Sequence, residues 1–230
     1  MSNIITLDAL DSDGAIRETA DAAGATRADF LKRSGLAGAG FVAGGVLFQG
    51  LASPAEAAIS TQKKSKRNDV RILNYALTLE YLEAEFYALA VASGALTDPV
   101  VLRFARVTGS HEAQHVDTLK SVLGRAAVKK PGFDFKDTVT NQAKFKATAQ
   151  VLEDTGVAAY AGQGPNVSQR AVVKAALSIH SEEARHAAWI RFINGGGGTD
   201  EGLPAPEAFD LPKSEKAVLK AVGATGFLKG

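Results

Sequence analysis

Gly109-Ser110-His111-Glu112-Ala113-Gln114-His115 and His180-Ser181-Glu182-Glu183-Ala184-Arg185-His186 hold all four histidines of the chain. Aligned on their last residues, the two stretches share Ser, Glu, Ala and His at the same places. Each contains Glu-x-x-His: Glu112 with His115, and Glu183 with His186. Residues three apart on an α-helix project from one face, so each stretch can turn a carboxylate and an imidazole toward the same ion. One such motif is weak evidence; two in register are specific.

A matching pair precedes each motif. Glu80 stands seven residues before Tyr87, and Glu153 seven before Tyr160. Seven residues make almost two turns, so each Glu shares a face with its Tyr. From Glu80 to Glu153 is 73 residues, and from Glu112 to Glu183 is 71. The chain therefore reads as a hairpin written twice, Glu…Tyr followed by Glu-x-x-His. The repeat supplies six candidate ligands: Glu80, Glu112, His115, Glu153, Glu183 and His186. Four carboxylates buried in a bundle would each cost several kcal/mol if unpaired. Two divalent cations cancel them, whereas one leaves the site two charges short. Carboxylate and imidazole without thiolate suit iron or manganese better than structural zinc.

The surrounding pattern is helical. Ile72, Leu73, Ala76, Leu77, Leu79, Leu82, Phe86 and Leu89 form one apolar stripe. Helices are predicted over 68–93, 98–124, 141–161 and 167–193, with a short one near 213–222 and no strands. Gly94, Gly124, Gly162 and Gly195 mark the four ends, and Asp98-Pro99 and Asn141 mark starts. The short links 94–97 and 162–166 make two antiparallel hairpins, and the long link 125–140 can cross the bundle. The expected division is a leader over 1–57, a four-helix bundle over 58–195 and a glycine- and proline-rich tail over 196–230. Trp189 and Phe192 are read as core.

Composition narrows the function. With 26 basic and 25 acidic residues the chain carries a formal charge of +1, which gives no reason to expect a nucleic-acid partner. There is no cysteine, so disulfides, thiolate metal sites and a cysteine nucleophile are excluded.

On the two Glu-x-x-His motifs, the two Glu…Tyr pairs and Leu79-Glu80-Tyr81-Leu82-Glu83-Ala84-Glu85-Phe86-Tyr87, the chain resembles the ferritin-like superfamily of di-iron carboxylate bundles. It is most similar to the exported ferritin-like group that includes desiccation-related proteins. The resemblance covers about 68–195 and implies an all-α bundle with one long crossover. It implies two Fe (or Mn) ions per chain, with Glu112 and Glu183 bridging. Glu80 with His115, and Glu153 with His186, would be the terminal ligands. O₂ or peroxide would be the reactant, in ferroxidation, peroxide removal or small-substrate oxidation under stress.

Some positions stay open. Glu83, one turn after Glu80, is the alternative ligand on the first helix; Glu80 is preferred for its spacing to tyrosine. Glu83 aligns with Gly156 in the repeat. A helical glycine costs about 1 kcal/mol against alanine, so Gly156 is expected to leave room for O₂ or peroxide. Glu83 would then add a carboxylate for proton transfer or a third cation. Tyr87 and Tyr160 are read as core aromatics able to hydrogen-bond a ligand carboxylate. His111, about 100° from the site face, and His180 are read as surface residues or as partners of ligands.

Thr26-Arg27-Ala28-Asp29-Phe30-Leu31-Lys32-Arg33, then an uncharged stretch over 34–55 and Ala55-Glu56-Ala57, resemble a twin-arginine export signal cut before Ala58. Ala28 stands where the second arginine belongs, and the acidic residues before it are unusual for a leader. Export to the periplasm or beyond, with no membrane span after processing, is the expectation; a cytoplasmic protein is the alternative. Homo-oligomerisation stays open. Two other functions compete: a non-catalytic stress bundle with a structural metal site, and a zinc protease, because His111-Glu112-Ala113-Gln114-His115 matches H-E-x-x-H.

Overall fold

Local chemistry sets the helix ends. The computed structural model describes residues 59–61, 63–195 and 203–229, so the leader expected over 1–57 lies outside the described residues. Helix α1 spans Lys66–Ser93, α2 Pro99–Leu123, α3 Gln142–Gln163, α4 Arg170–Asn194 and α5 Glu215–Thr225. Ser65 accepts from the Asn68 N–H to start α1, and Gly94 ends it at φ 69°, a left-handed conformation. Asp98 accepts from Val100 and Val101 ahead of α2, with Pro99 in the first turn. Asn141 accepts from Lys144 to open α3. One expected end moves: α3 runs past Gly162 and closes at Gly164.

Helix α4 starts differently. Its own cap residue, Gln169, makes no side-chain capping bond. Instead the fully buried Asp69 of α1 reaches across and accepts from the Ser168 N–H (2.8 Å), the Ser168 hydroxyl (2.7 Å), the Gln169 N–H (3.1 Å) and Gln169 Nε2 (3.0 Å). The repeat does the same at the other hairpin. Gln142 of α3 accepts from the Asp98 N–H at 2.8 Å. Asp69 to Gln142 is 73 residues and Asp98 to Gln169 is 71, the intervals that separate the paired glutamates. Each hairpin thus ties down the other's second helix.

Helices α1 and α4 run one way, and α2 and α3 the other. α1 is antiparallel to α2, with Glu80 against His115 and Tyr87 against Phe104. α3 is antiparallel to α4, with Glu153 against His186 and Asp154 against Arg191. Tyr87 meets Glu153 and Tyr160 meets Glu80 between α1 and α3, while Phe104 meets Trp189 between α2 and α4. The link from α2 to α3 carries short 3-10 turns at Gly124–Ala126 and Lys136–Val139. Asn74 of α1 pins it, donating to the Ala126 carbonyl and accepting from the Val128 N–H, both at 2.9 Å. Below the glutamates Phe86 stacks on Phe145 at 5.2 Å and meets Tyr87 and Phe135 edge-on. Trp189 packs against this core, but Phe192 is 41% exposed, against expectation. It lies two residues past the buried Ile190, some 200° around α4, and so leaves the buried stripe.

The expected irregular tail is docked over its described part. α5 buries Val218, Leu219 and Val222. The Lys213 N–H donates to the Ala158 carbonyl (3.0 Å), and a Cβ at Gly162 would stand 1.9 Å from the Lys213 carbonyl oxygen. Gly162 therefore serves close approach of the tail. Beyond α5, Phe133 and Leu228 form an isolated antiparallel bridge, and Phe227 packs edge-on against Phe135.

Replacing Asp69 by Ala strips four donors of their acceptor inside the fold. Expected is a loss of about 2–4 kcal/mol, read as a lower midpoint in urea at unchanged slope. A midpoint equal to that of the parent removes the cross-hairpin cap from the account.

Candidate metal centre

The repeat delivers its carboxylates to one buried place. Glu80, Glu112, Glu153, Glu183 and His186 are all buried, and the His115 side chain is 12% exposed. Their donor atoms form two overlapping groups that could each hold an ion. One is Glu80, Glu112, His115 and Glu183; the other is Glu112, Glu153, Glu183 and His186. Within each, one atom from every residue lies within 4.8 Å of the others. Glu112 and Glu183 belong to both groups. His115 Nδ1 stands 3.2 Å from Glu80, 3.0 Å from Glu112 and 3.2 Å from Glu183. His186 Nδ1 stands 3.0 Å from Glu112 and 3.3 Å from Glu153.

The polar atoms at the centre are short of hydrogen bonds. Glu112 Oε1, Glu153 Oε2, both oxygens of Glu183 and His186 Nδ1 are buried without a well-aligned hydrogen bond, although His186 Nδ1 faces Glu112 Oε1 at 3.0 Å and Glu153 Oε2 at 3.3 Å, and His115 Nδ1 faces Glu183 Oε1 at 3.2 Å. Buried lone pairs are normally satisfied, and leaving one orphaned costs about 1–3 kcal/mol, more for a charged group. Buried carboxylate and imidazole atoms that converge without well-aligned hydrogen bonds are the arrangement a bound cation would satisfy. The donor set of carboxylate and imidazole fits iron or manganese.

Two tyrosines orient the outer carboxylates. The Tyr87 hydroxyl donates to Glu153 Oε1 and the Tyr160 hydroxyl to Glu80 Oε1, so each hairpin's tyrosine holds the other's glutamate. Burial, then the adjacent carboxylate, pushes both phenols well above their ordinary range, which keeps them donors.

Protonation follows crowding. Burial, and then its neighbours' charges, pushes Glu112 up to about 7. Glu183 and Glu83 are driven well above the carboxylate range by burial and by surrounding carboxylates. Burial opposes charge on the two imidazoles, but Glu80 and its neighbours outweigh it and hold His115 well above the imidazole range. Glu112 and Glu153 raise His186 to about 10. Burial also works against Glu80, yet His115 and the Tyr160 hydroxyl pull its carboxyl below the usual value.

The remaining candidates are placed as follows. Glu83 is buried beside Gly156 but belongs to neither group. A Cβ at Gly156 would lie 2.6 Å from Glu183 Oε2 and 3.5 Å from Glu83 Oε1. The room expected there for O₂ or peroxide is taken by carboxylates: the glycine admits Glu183. His180 is half-buried with Nε2 unpartnered, and it stands in neither group. His111 Nδ1 lies 2.9 Å from His186 Nε2, on the far edge of that ring from the carboxylates. Among the described residues no metal-capable group contains both His111 and His115, as an H-E-x-x-H zinc site requires. The sequence reading passed over Glu182, which stands 3.5 Å from His111. The signal was there, since Glu182 occupies the place of His111 in the aligned motifs.

No curated protein matches the chain. A family model described as a ferritin-like domain matches residues 68–196. Because that match runs from the first helix that turns a glutamate inward to the end of the last, over more than half of the sequence, the chain belongs to the ferritin-like domain family.

Proposed function

We propose that the chain holds two divalent ions, iron or manganese, and reacts them with O₂ or peroxide. The observation that carries this reading is the sharing of Glu112 and Glu183 between two four-residue groups. Glu80 and His115 complete one group and Glu153 and His186 the other. The ions would supply reducing electrons and open coordination positions. The chain's own part is to hold them in a closed, carboxylate-lined site. Tyr87 and Tyr160 fix the outer carboxylates by donated hydrogen bonds, which leaves one oxygen of each for the centre. The apolar packing of Phe86, Phe104 and Phe145 keeps bulk water from that side. Glu83, protonated and buried next to Glu183, is placed to give up a proton inside the site. A peroxide-removing or ferroxidase role in stress protection is the reaction class this supports. A bundle in which the metals only staple the helices is the outcome to be told apart.

Metal-loaded parent is expected to bind two ions per chain, gain about 4 kcal/mol of stability per ion at a thousandfold excess over Kd, and consume ferrous iron with O₂ or peroxide. Glu183→Gln is expected to lose the stabilisation by metal while its apo form melts no lower than the parent's, since a crowded carboxylate is gone. Calorimetry and metal analysis read both. A parent unaffected by iron and manganese sinks the proposal; binding without turnover leaves the stapled bundle.

The pH dependence has a defined sign. Glu112, Glu183, Glu83, His115 and His186 are all raised in the folded protein. A raised group stabilises fully below its unfolded value and loses that stability as pH climbs through the folded one. Apo protein is therefore expected to weaken from about pH 4.5 toward pH 10. Glu80, lowered, works the other way and loses its contribution at the acid end. Ions displace these same protons, so the gain in Tm on loading should be larger at pH 8 than at pH 6. A gain that shrinks with pH contradicts this.

The reading places the protein outside the cytoplasm, resting on the leader-like sequence; among the described residues no helix is long and apolar enough to cross a membrane. Protein recovered from its native compartment should begin at Ala58 on terminal sequencing, and an intact residue 1 or 2 would overturn export.

A further inference from the structure

The buried centre needs a way in. Its carboxylates and His186 are almost wholly enclosed. On the outer edge of His186, however, lies a cluster that the six-residue set does not use. His111 Nδ1 is 2.9 Å from His186 Nε2 and 3.5 Å from Glu182 Oε1, and Glu182 Oε1 is 4.0 Å from His186 Nε2. The His111 and Glu182 side chains are 34% and 33% exposed, while that of His186 is 2% exposed. The cluster thus runs from solvent to a residue of the centre. Donor atoms bound about 2.0–2.1 Å from one ion stand about 3–4 Å apart, which is the spacing found. His111 and Glu182 are also equivalents in the repeat, brought face to face between α2 and α4. One offers an imidazole and the other a carboxylate.

We infer that His111, Glu182 and His186 Nε2 form an outer site that captures a divalent cation from solvent and passes it to the buried centre. The inference rests on the metal-centre reading. An ion bound to His186 displaces one ring proton, and while the other proton stays on the ring only one nitrogen has a lone pair to offer. His186 therefore grips an outer ion at Nε2 only while Nδ1 is not engaged within. The outer site fills first and is given up as the inner position fills, so the final ion count does not include it. Arg185 sets the opposing term. Its guanidinium holds Glu182 Oε2 at 2.9 Å and is itself 67% exposed, placing a positive charge at the mouth.

The test uses the full-length apo protein and Co²⁺ alone, with uptake followed by stopped-flow absorbance and the final count by metal analysis. His111→Ala and Glu182→Gln are expected to load about tenfold more slowly than the parent and to reach the same count. Arg185→Ala, a change at the surface, is expected to load faster. The proposal is overturned if His111→Ala and Glu182→Gln both load within about twofold of the parent, whatever their final affinity, because His111 would then only orient His186. It is equally overturned if Arg185→Ala loads no faster. A parent that takes up no Co²⁺ strikes the metal-centre reading itself, which keeps the two failures apart.

Discussion

Carboxylates crowded around one dry point are the constraint to which the rest of this bundle answers. Glu80, Glu83, Glu112, Glu153 and Glu183 are all buried there, and burial alone disfavours each charge. Without ions the fold meets the problem with protons. His115 and His186 are held in the charged form, and Glu83 and Glu183 are pushed toward the neutral one. Each such proton sits where lone pairs converge. In the metal-centre reading divalent ions would take the place of these protons among donors that already face one another across 3.0–3.3 Å. The same convergence would make metal binding and proton release one event.

The repeat explains how so costly a site is held rigid. Every support crosses between hairpins. Asp69 caps the start of α4 and Gln142 binds the residue ahead of α2. Tyr87 holds Glu153 and Tyr160 holds Glu80. Neither hairpin can tilt without breaking both a cap and a phenol bond to the other. The symmetry fails at Glu83 against Gly156 and, within the aligned motifs, at Gly109 against His180, His111 against Glu182 and Gln114 against Arg185. At Gly109 the reason is steric, since a Cβ there would stand 2.8 Å from Tyr87 Cβ. These breaks leave the shared glutamates alone and differentiate what surrounds them, so the two candidate groups have like donors and unlike neighbours.

What could be read from the sequence was what repeats or acts locally. The inward glutamates and histidines follow from helical spacing and from the intervals of 73 and 71 residues. The caps at Asp98 and Asn141 are local signals and fall where expected. Contacts set by the approach of distant segments were not legible. Asp69 looks like an ordinary first-turn acid, and only the arrival of Ser168 and Gln169 makes it a cap. Gly162 looks like a helix end, and only Lys213 shows it to be a docking point for the tail. Phe192 is hydrophobic enough for a core, but its angle on α4 decides against it. Glu182 sits beside a ligand in sequence, and its tie to His111 exists only once α2 and α4 are side by side.

Charge decides between the two glutamates of α1. Glu80 is 3.2 Å from His115, accepts from Tyr160 and is pulled below the carboxylate range by them; it is the one kept ionised. Glu83 is pushed the other way, by burial and then by the four neighbouring carboxylates, toward the protonated form. In the proposed loaded site two divalent ions would balance the four carboxylates of Glu80, Glu112, Glu153 and Glu183 with no surplus. A fifth carboxylate would unbalance the site if it ionised, yet protonated it adds no charge and keeps a hydrogen available beside Glu183. Gly156, opposite, gives the space in which both side chains fit. The one break of the repeat inside the centre thus adds a proton without adding a charge.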